Sequence, residues 1–238
     1  SDWLASLHLL SGVLRDEPAY RQVLWLPPAR LSQPSGPLEE QVTPLALLGE
    51  QGADALRWTF FLQPPGEPLL VSPQATGQVG EDLLRATWGL GDLINSRVDL
   101  HLLRQPLAEM PTPAEAVILD DWLRSRLHSL VCAVTVALEG AETRVAAQAL
   151  QEFVLSDLVG WYVPLRLDRR YAGSPAPQNF LPLFDALVTL SRLLAPLLPF
   201  MAEWLYQSLV RGMGPDGRES VHLEDWPGFD PACILPDL

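Results

Sequence analysis

The chain has 238 residues, 48% of them hydrophobic, and its 29 acidic residues against 16 arginines and no lysine leave a net charge of −13. This hydrophobic content excludes a disordered chain, and no apolar run reaches membrane-span length without a proline or a charge. Since the two cysteines and four scattered histidines have no metal-ligand spacing and the N-terminus has no signal-peptide pattern, we expect a cytoplasmic protein without metal or cofactor.

The N-terminal region predicts a helix followed by a buried strand. Residues 1–17 place apolar side chains at helical spacing, and residues 22–26 form a short apolar run that ends at two prolines. A strand with few neighbours leaves its backbone groups free to pair with another chain. We therefore expect a homodimer, or another protein partner, joined through Val23, Leu24, Trp25 and Leu26.

A second helix and a proline-rich connector follow. The string GADALRW at residues 52–58 predicts a helix, on which Asp54 and Arg57 indicate a local ion pair or cap rather than a catalytic pair. Residues 62–76 are rich in proline and contain a short apolar run at 69–71 that is typical of a strand. We place a domain boundary near Pro73, which divides the chain into residues 1–73 and 74–238.

From residue 77 onward the pattern is helical throughout. Apolar side chains predict helices over about 78–103, from Leu119 to about residue 138, over 142–165, over 180–194 and over 200–210. Pro196 and Pro199 predict a corner between the last two helices. Asp120 and Asp121 indicate a helix start rather than a catalytic dyad. The expected architecture is an antiparallel helical bundle.

Five strings, in order, resemble the isoleucyl-tRNA synthetase family of class Ia. They are GADALRW, LDDWLRSRLHSL, ALQEFVLSDLVGWYV, LFDALVTLSRLLAPLLPFMAEWLYQSLV and SVHLEDWPGFD. The resemblance implies a mainly α fold, in which a class Ia anticodon-binding-domain-like bundle follows a small α/β remnant of a nucleotide-binding fold. It also implies where the family's catalytic KMSKS loop would lie, at Gln33, Pro34, Ser35, Gly36 and Pro37.

That loop departs from the family pattern. Both lysines, which in the family stabilise charge developing on ATP phosphates, are absent, and the HIGH signature has no counterpart. We therefore expect no aminoacylation by the chain on its own. The resemblance further implies an RNA-facing run after the WYV string, which here retains Trp161, Arg166, Arg169, Arg170 and Tyr171.

Three functions remain open at this point. Arginine beside aromatic side chains suits single-stranded RNA loops, so the chain is expected to be a non-catalytic tRNA-binding or synthetase-associated module. The net negative charge opposes phosphate binding and favours an alternative, a protein-interaction or regulatory scaffold that no longer binds tRNA. A third interpretation is one part of a split isoleucine–tRNA ligase. The same arginines could equally form a solvated helix end.

Overall fold

The computed structural model describes residues 11, 13, 30–31, 44–64, 70–71, 73–100, 114–167, 177–210 and 217–235. Seven main helices are found there, and the fifth is continuous through a central π-helical segment. They are α1 (Pro44–Gln51), α2 (Ala53–Leu62), α3 (Pro73–Arg97), α4 (Ala114–Glu139), α5 (Thr143–Glu152, Phe153–Tyr162 and Val163–Leu167), α6 (Leu181–Leu194) and α7 (Pro199–Leu209). The prediction of a mainly α fold is confirmed.

Two short strands accompany the helices. β1 (Arg30–Leu31) and β2 (Leu70–Val71) pair in parallel, with Arg30 opposite Leu70 and Leu31 opposite Val71. β2 confirms the short strand predicted at residues 69–71, and parallel pairing fits a remnant of a parallel α/β sheet. The strand predicted at residues 22–26 and the degenerate loop at residues 33–37 lie outside the described residues.

The predicted bounds of two helices are wrong, at the start of α4 and at both ends of α3. α4 begins at Ala114, six residues before Asp120, so Asp120 lies within the helix and not at its start. α3 begins at Pro73 and ends at Arg97. A proline at the first helical turn is tolerated because its missing N–H would have no intrahelical partner there. Pro73, the expected domain boundary, thus starts a helix, and the boundary itself stays a prediction.

The core lies among α2 to α7. Its largest fully buried side chains include Trp58, Phe153, Tyr162 and Tyr206. Trp58 belongs to α2, and its Nε1 donates a hydrogen bond of 3.1 Å to Gln151 on α5. The helix that carries the GADALRW string therefore shares the core of the bundle that follows it.

Asp54 and Arg57 both bind the corner between α6 and α7. Asp54 Oδ2 accepts the backbone N–H of Met201, 2.7 Å away in the first turn of α7. Arg57 donates to the carbonyls of Pro196 (2.9 Å) and Leu197 (2.8 Å), which follow the end of α6. Asp54 therefore caps a helix, as predicted. The capped helix is not its own, however, because Met201 lies 147 residues further along the chain.

An aromatic stack joins α3 to α7. Trp88 and Trp204 lie with ring centroids 3.9 Å apart and planes 12° from parallel. Gly91 makes room for this stack, because a Cβ atom there would lie 2.9 Å from two ring atoms of Trp204. Gly89, two residues earlier on the same helix, has no atom within 4 Å of such a Cβ.

These two glycines provide a matched test of the packing. Gly89→Ala is expected to stabilise the protein by about 0.5–1 kcal/mol, because alanine favours a helix interior over glycine. Gly91→Ala gains the same helix propensity, but its Cβ atom forces Trp204 to move. This displacement is expected to lower the free energy of unfolding by about 1–3 kcal/mol. Thermal unfolding should therefore show a raised Tm for the first variant and a lowered Tm for the second. Equal shifts of the same sign would contradict this packing.

In the part of the chain that the structure describes, no helix is both long and apolar enough to cross a membrane. The same residues contain no group of three or more histidine, cysteine or acidic side chains that could hold a metal ion.

Candidate RNA-binding site

The C-terminal half of α5 presents the aromatic residue predicted to contact RNA. Residues Phe153–Tyr162 form a π-helix, and at its end the N–H of Val163 bonds to the carbonyl of Leu158. Phe153, Leu158 and Tyr162 are buried in this segment, whereas Trp161 is 53% exposed. π-Helical turns within α-helices occur frequently at functional sites.

One contact with α4 fixes the end of α5. The Tyr162 hydroxyl donates to Asp120 Oδ1 at 2.8 Å, and Arg166 Nε lies 3.3 Å from the same oxygen. The Arg166 side chain is only 5% exposed and that of Asp120 is 15% exposed. The buried guanidinium is therefore compensated by a partly buried carboxylate, as a charge inside a protein requires.

A second contact lies five residues before Tyr162 on α5. Arg126 of α4 donates to Asp157 at 2.9 Å through Nε and lies 2.8 Å from it through its terminal nitrogen. A longer approach of 4.0 Å joins Arg126 to Glu152. Together with the Asp120 contact, this arginine joins α5 to α4 at two points, and Trp161 lies on the same helix.

Burial governs the protonation of these groups. Loss of hydration raises the pKa of the Asp120 carboxyl, although the Tyr162 hydroxyl and the Arg166 guanidinium both act to lower it. Burial likewise raises the pKa of Asp157, against the bond from Arg126. The pKa of Tyr162 is raised by burial and by the neighbouring Asp120. Tyr162 is thus a neutral hydrogen-bond donor at physiological pH.

The predicted RNA contacts do not all fall together. Trp161 is exposed as required, but Arg166 is 6% exposed and paired with Asp120, so its assignment as an RNA contact is corrected to a structural one. The sequence could not reveal this, because Asp120 lies 46 residues away. Arg169, Arg170 and Tyr171 lie outside the described residues.

Among the described residues of α5, the exposed ones nearest to Trp161 are uncharged. Val159, Gly160, Trp161, Pro164 and Leu167 are all exposed there. This apolar face was not predicted from the sequence, because the stretch around the WYV string was considered only for its arginines and aromatic side chains. The sequence could have predicted it, because no charged residue lies between Asp157 and Arg166.

Comparison with known proteins finds similar sequences in the tRNA ligases. Residues 120–235 match the family model described as the anticodon-binding domain of tRNA ligase. The isoleucine–tRNA ligase of Thermus thermophilus is 34% identical over 247 residues, covering 97% of this chain and 22% of that protein. The isoleucine–tRNA ligase of Thermobifida fusca is also 34% identical, over 254 residues, covering 99% of this chain and 23% of that protein.

A solved structure has the same fold. A chain in the crystal structure of the Agrobacterium radiobacter K84 agnB2 LeuRS–tRNA–LeuAMS ternary complex matches with a TM-score of 0.58 and 19% identity. The match covers 98% of this chain and 27% of that one. This chain thus spans less than a third of the length of each of these proteins. Residues 120–235 are similar to the anticodon-binding domain of tRNA ligase, and the chain as a whole is similar to part of the isoleucine–tRNA ligases.

Proposed function

We propose that this chain is a non-catalytic module that binds tRNA through its anticodon-binding domain, alone or beside a tRNA synthetase. The observation that carries the proposal is the exposed side chain of Trp161 on α5, within the residues that match the family model. An exposed aromatic ring offers a surface on which unpaired bases stack, with about 1–3 kcal/mol gained per base.

The absence of catalysis is proposed from the roles of the charged residues. Gln33 and Gly36 stand where the resemblance implies the lysines of the KMSKS loop, and neither can stabilise charge on ATP phosphates. Among the described acidic residues, Asp54 holds the α6–α7 corner and Asp120 holds Tyr162 and Arg166. These carboxylates serve structural contacts and are not free for proton transfer.

Electrostatics limit where RNA phosphates could bind. Most arginines of the described part of the chain already contact a carboxylate or a backbone carbonyl, namely Arg57, Arg85, Arg124, Arg126, Arg144, Arg166, Arg192 and Arg218. With a net charge of −13, the surface as a whole repels phosphate. We assign phosphate contact to Arg169 and Arg170, because they follow Trp161 in the stretch that the resemblance to the synthetases implies for RNA.

Mobility shift of total tRNA by the purified chain, from low to physiological salt, tests the proposal. We expect retention at low salt, with Trp161→Ala weakening it about tenfold through lost stacking. Arg170→Ala should weaken binding and reduce the slope of log affinity against log salt by about 0.7, because one phosphate contact is removed.

Two variants serve as controls. Phe200→Ala removes an exposed aromatic ring on α7, and Arg85→Ala removes an exposed arginine on α3. Both should leave retention unchanged. Failure to retain tRNA even at the lowest salt would contradict the proposal and would favour the alternative, a protein-interaction scaffold. Sedimentation of the same sample would then test association through residues 22–26.

A further inference from the structure

We propose that a groove between α4 and α6 binds a guanine base, supplied either by a free guanine nucleotide or by an unpaired guanosine of RNA. The groove encloses about 530 Å³, which lies within the usual range for small-molecule sites. If RNA supplies the guanine, the proposal rests on the function proposed above. If a free nucleotide supplies it, the proposal does not depend on that function. The groove is distinct from the face of α5 that carries Trp161.

The wall formed by α4 supplies hydrogen-bond donors. Arg124 and His128 lie one turn apart on this wall. His128 Nδ1 accepts the backbone N–H of Asp230 at 3.0 Å, so the neutral imidazole carries its own proton on Nε2 and can donate. Arg124 forms an exposed pair with Asp121 at 2.9 Å, a contact weak enough to be shared with a ligand.

The wall formed by α6 supplies a carboxylate and a hydroxyl. Asp185 and Thr189 also lie one turn apart and line the groove opposite the α4 pair. In the described part of the chain, neither side chain makes a hydrogen bond, although Arg124 acts on Asp185 electrostatically across the groove. Asp185 therefore offers two free acceptor oxygens.

The floor of the groove is apolar. Leu123 and Val131 are each 1% exposed, and Leu127 and Leu181 complete the lining. The segment after α7 closes one end, where Gly228 reaches the groove and the N–H of Leu235 bonds to Ser125 Oγ at 2.8 Å. An aromatic base can lie on this floor with its polar edges turned to the two walls.

Guanine is the base whose edges fit these walls. Its N1–H and 2-amino groups present two donors side by side, which match the two oxygens of one carboxylate such as Asp185. Its O6 and N7 atoms present two acceptors, which arginine commonly binds, and these match Arg124 and His128. Adenine has an acceptor in place of N1–H, so it would turn a lone pair towards the carboxylate.

Ligand-observed NMR with GMP, IMP and AMP on the purified chain tests binding of a free nucleotide. GMP is expected to bind about tenfold more tightly than IMP, which lacks only the 2-amino group, and more tightly still than AMP. Asp185→Asn should weaken GMP binding about tenfold. Asp92→Asn, an exposed carboxylate on α3, should not change it. Equal binding of the three nucleotides, or an unchanged affinity in Asp185→Asn, would overturn the proposal.

Binding of an RNA guanosine is tested by comparing the pentanucleotides AAGAA and AAAAA in the same assay. Preference for the guanosine, lost in Asp185→Asn, assigns the groove to RNA, whereas selective GMP binding without that preference assigns it to free nucleotide. If tRNA is retained but no guanine selectivity appears with either the nucleotides or the pentanucleotides, the groove proposal fails and the function proposed above stands. If GMP binds selectively while tRNA is not retained, the groove proposal stands and the tRNA-binding function fails.

Discussion

Asp120→Ala is expected to lower the free energy of unfolding by about 3–5 kcal/mol, because it leaves a buried guanidinium without its partner. The Arg166 side chain is 5% exposed, and Asp120 is the carboxylate that lies 3.3 Å from its Nε. The same substitution removes the acceptor of the fully buried Tyr162 hydroxyl. Urea unfolding followed by circular dichroism measures the loss.

The neighbouring residue gives a matched control. Asp121 pairs with Arg124 on the surface, where the two side chains are 42% and 58% exposed. Asp121→Ala should therefore cost less than about 1 kcal/mol. A similar loss for both variants would mean that burial does not decide the strength of these pairs.

A double variant separates the unpaired charge from the lost packing. In Asp120→Ala/Arg166→Met the buried cation is replaced by an apolar side chain of similar length, so most of the lost stability should return. If the double variant is no more stable than Asp120→Ala, the cost would lie in the Tyr162 hydroxyl and not in the guanidinium. The face with Trp161 does not use Arg166, so tRNA retention should follow the recovered fold.

The sequence predicted those parts of the fold that depend on residues close together in the chain. Apolar spacing predicted the helices of the bundle, and Pro196 and Pro199 predicted the corner that the structure shows between α6 and α7. The short run at residues 69–71 predicted β2. Each of these features depends on residues close together in the chain, which is where periodicity and proline geometry carry information.

The errors arose where a distant partner or competing signal decides the structure. Arg166 looked like a free cation because its partner Asp120 lies 46 residues earlier. Asp120 and Asp121 looked like a helix start, although Pro113 offers an earlier one and α4 begins at Ala114. The groove between α4 and α6 could not be predicted, since its two polar walls meet only after the helices pack.

Asp54→Ala is expected to lower the free energy of unfolding by about 2 kcal/mol through loss of the cap on α7. The Asp54 carboxylate accepts the N–H of Met201 at 2.7 Å, and α7 has no side-chain cap of its own at Leu198. Arg57→Ala should cost a similar amount, because its guanidinium binds two carbonyls at the other side of the corner. Urea unfolding of both variants checks these losses, and unchanged stability in either would contradict the assigned contacts.

Asp54→Asn tests which force governs this carboxylate. Burial raises the pKa of Asp54 above its ordinary value of 3.8, although the N–H groups of Met201 and Phe200 and the charge of Arg57 lower it. Burial has the largest effect on this pKa because Asp54 Oδ1 is buried without a hydrogen-bond partner in the described part of the chain. A raised pKa means that the folded state holds the proton more tightly than the unfolded state.

The sign of the pH dependence follows from that difference. The stability that protonated Asp54 contributes is fully present below pH 3.8 and is lost as pH rises through the higher pKa of the folded state. Asparagine cannot titrate, so the stability of the wild type relative to Asp54→Asn should be greatest near about pH 3.5 and smaller near about pH 6.5. A difference that grows with pH would show instead that attraction between the carboxylate and the N-terminus of α7 outweighs burial. The comparison therefore decides whether the cap acts through its neutral hydrogen bond or through its charge.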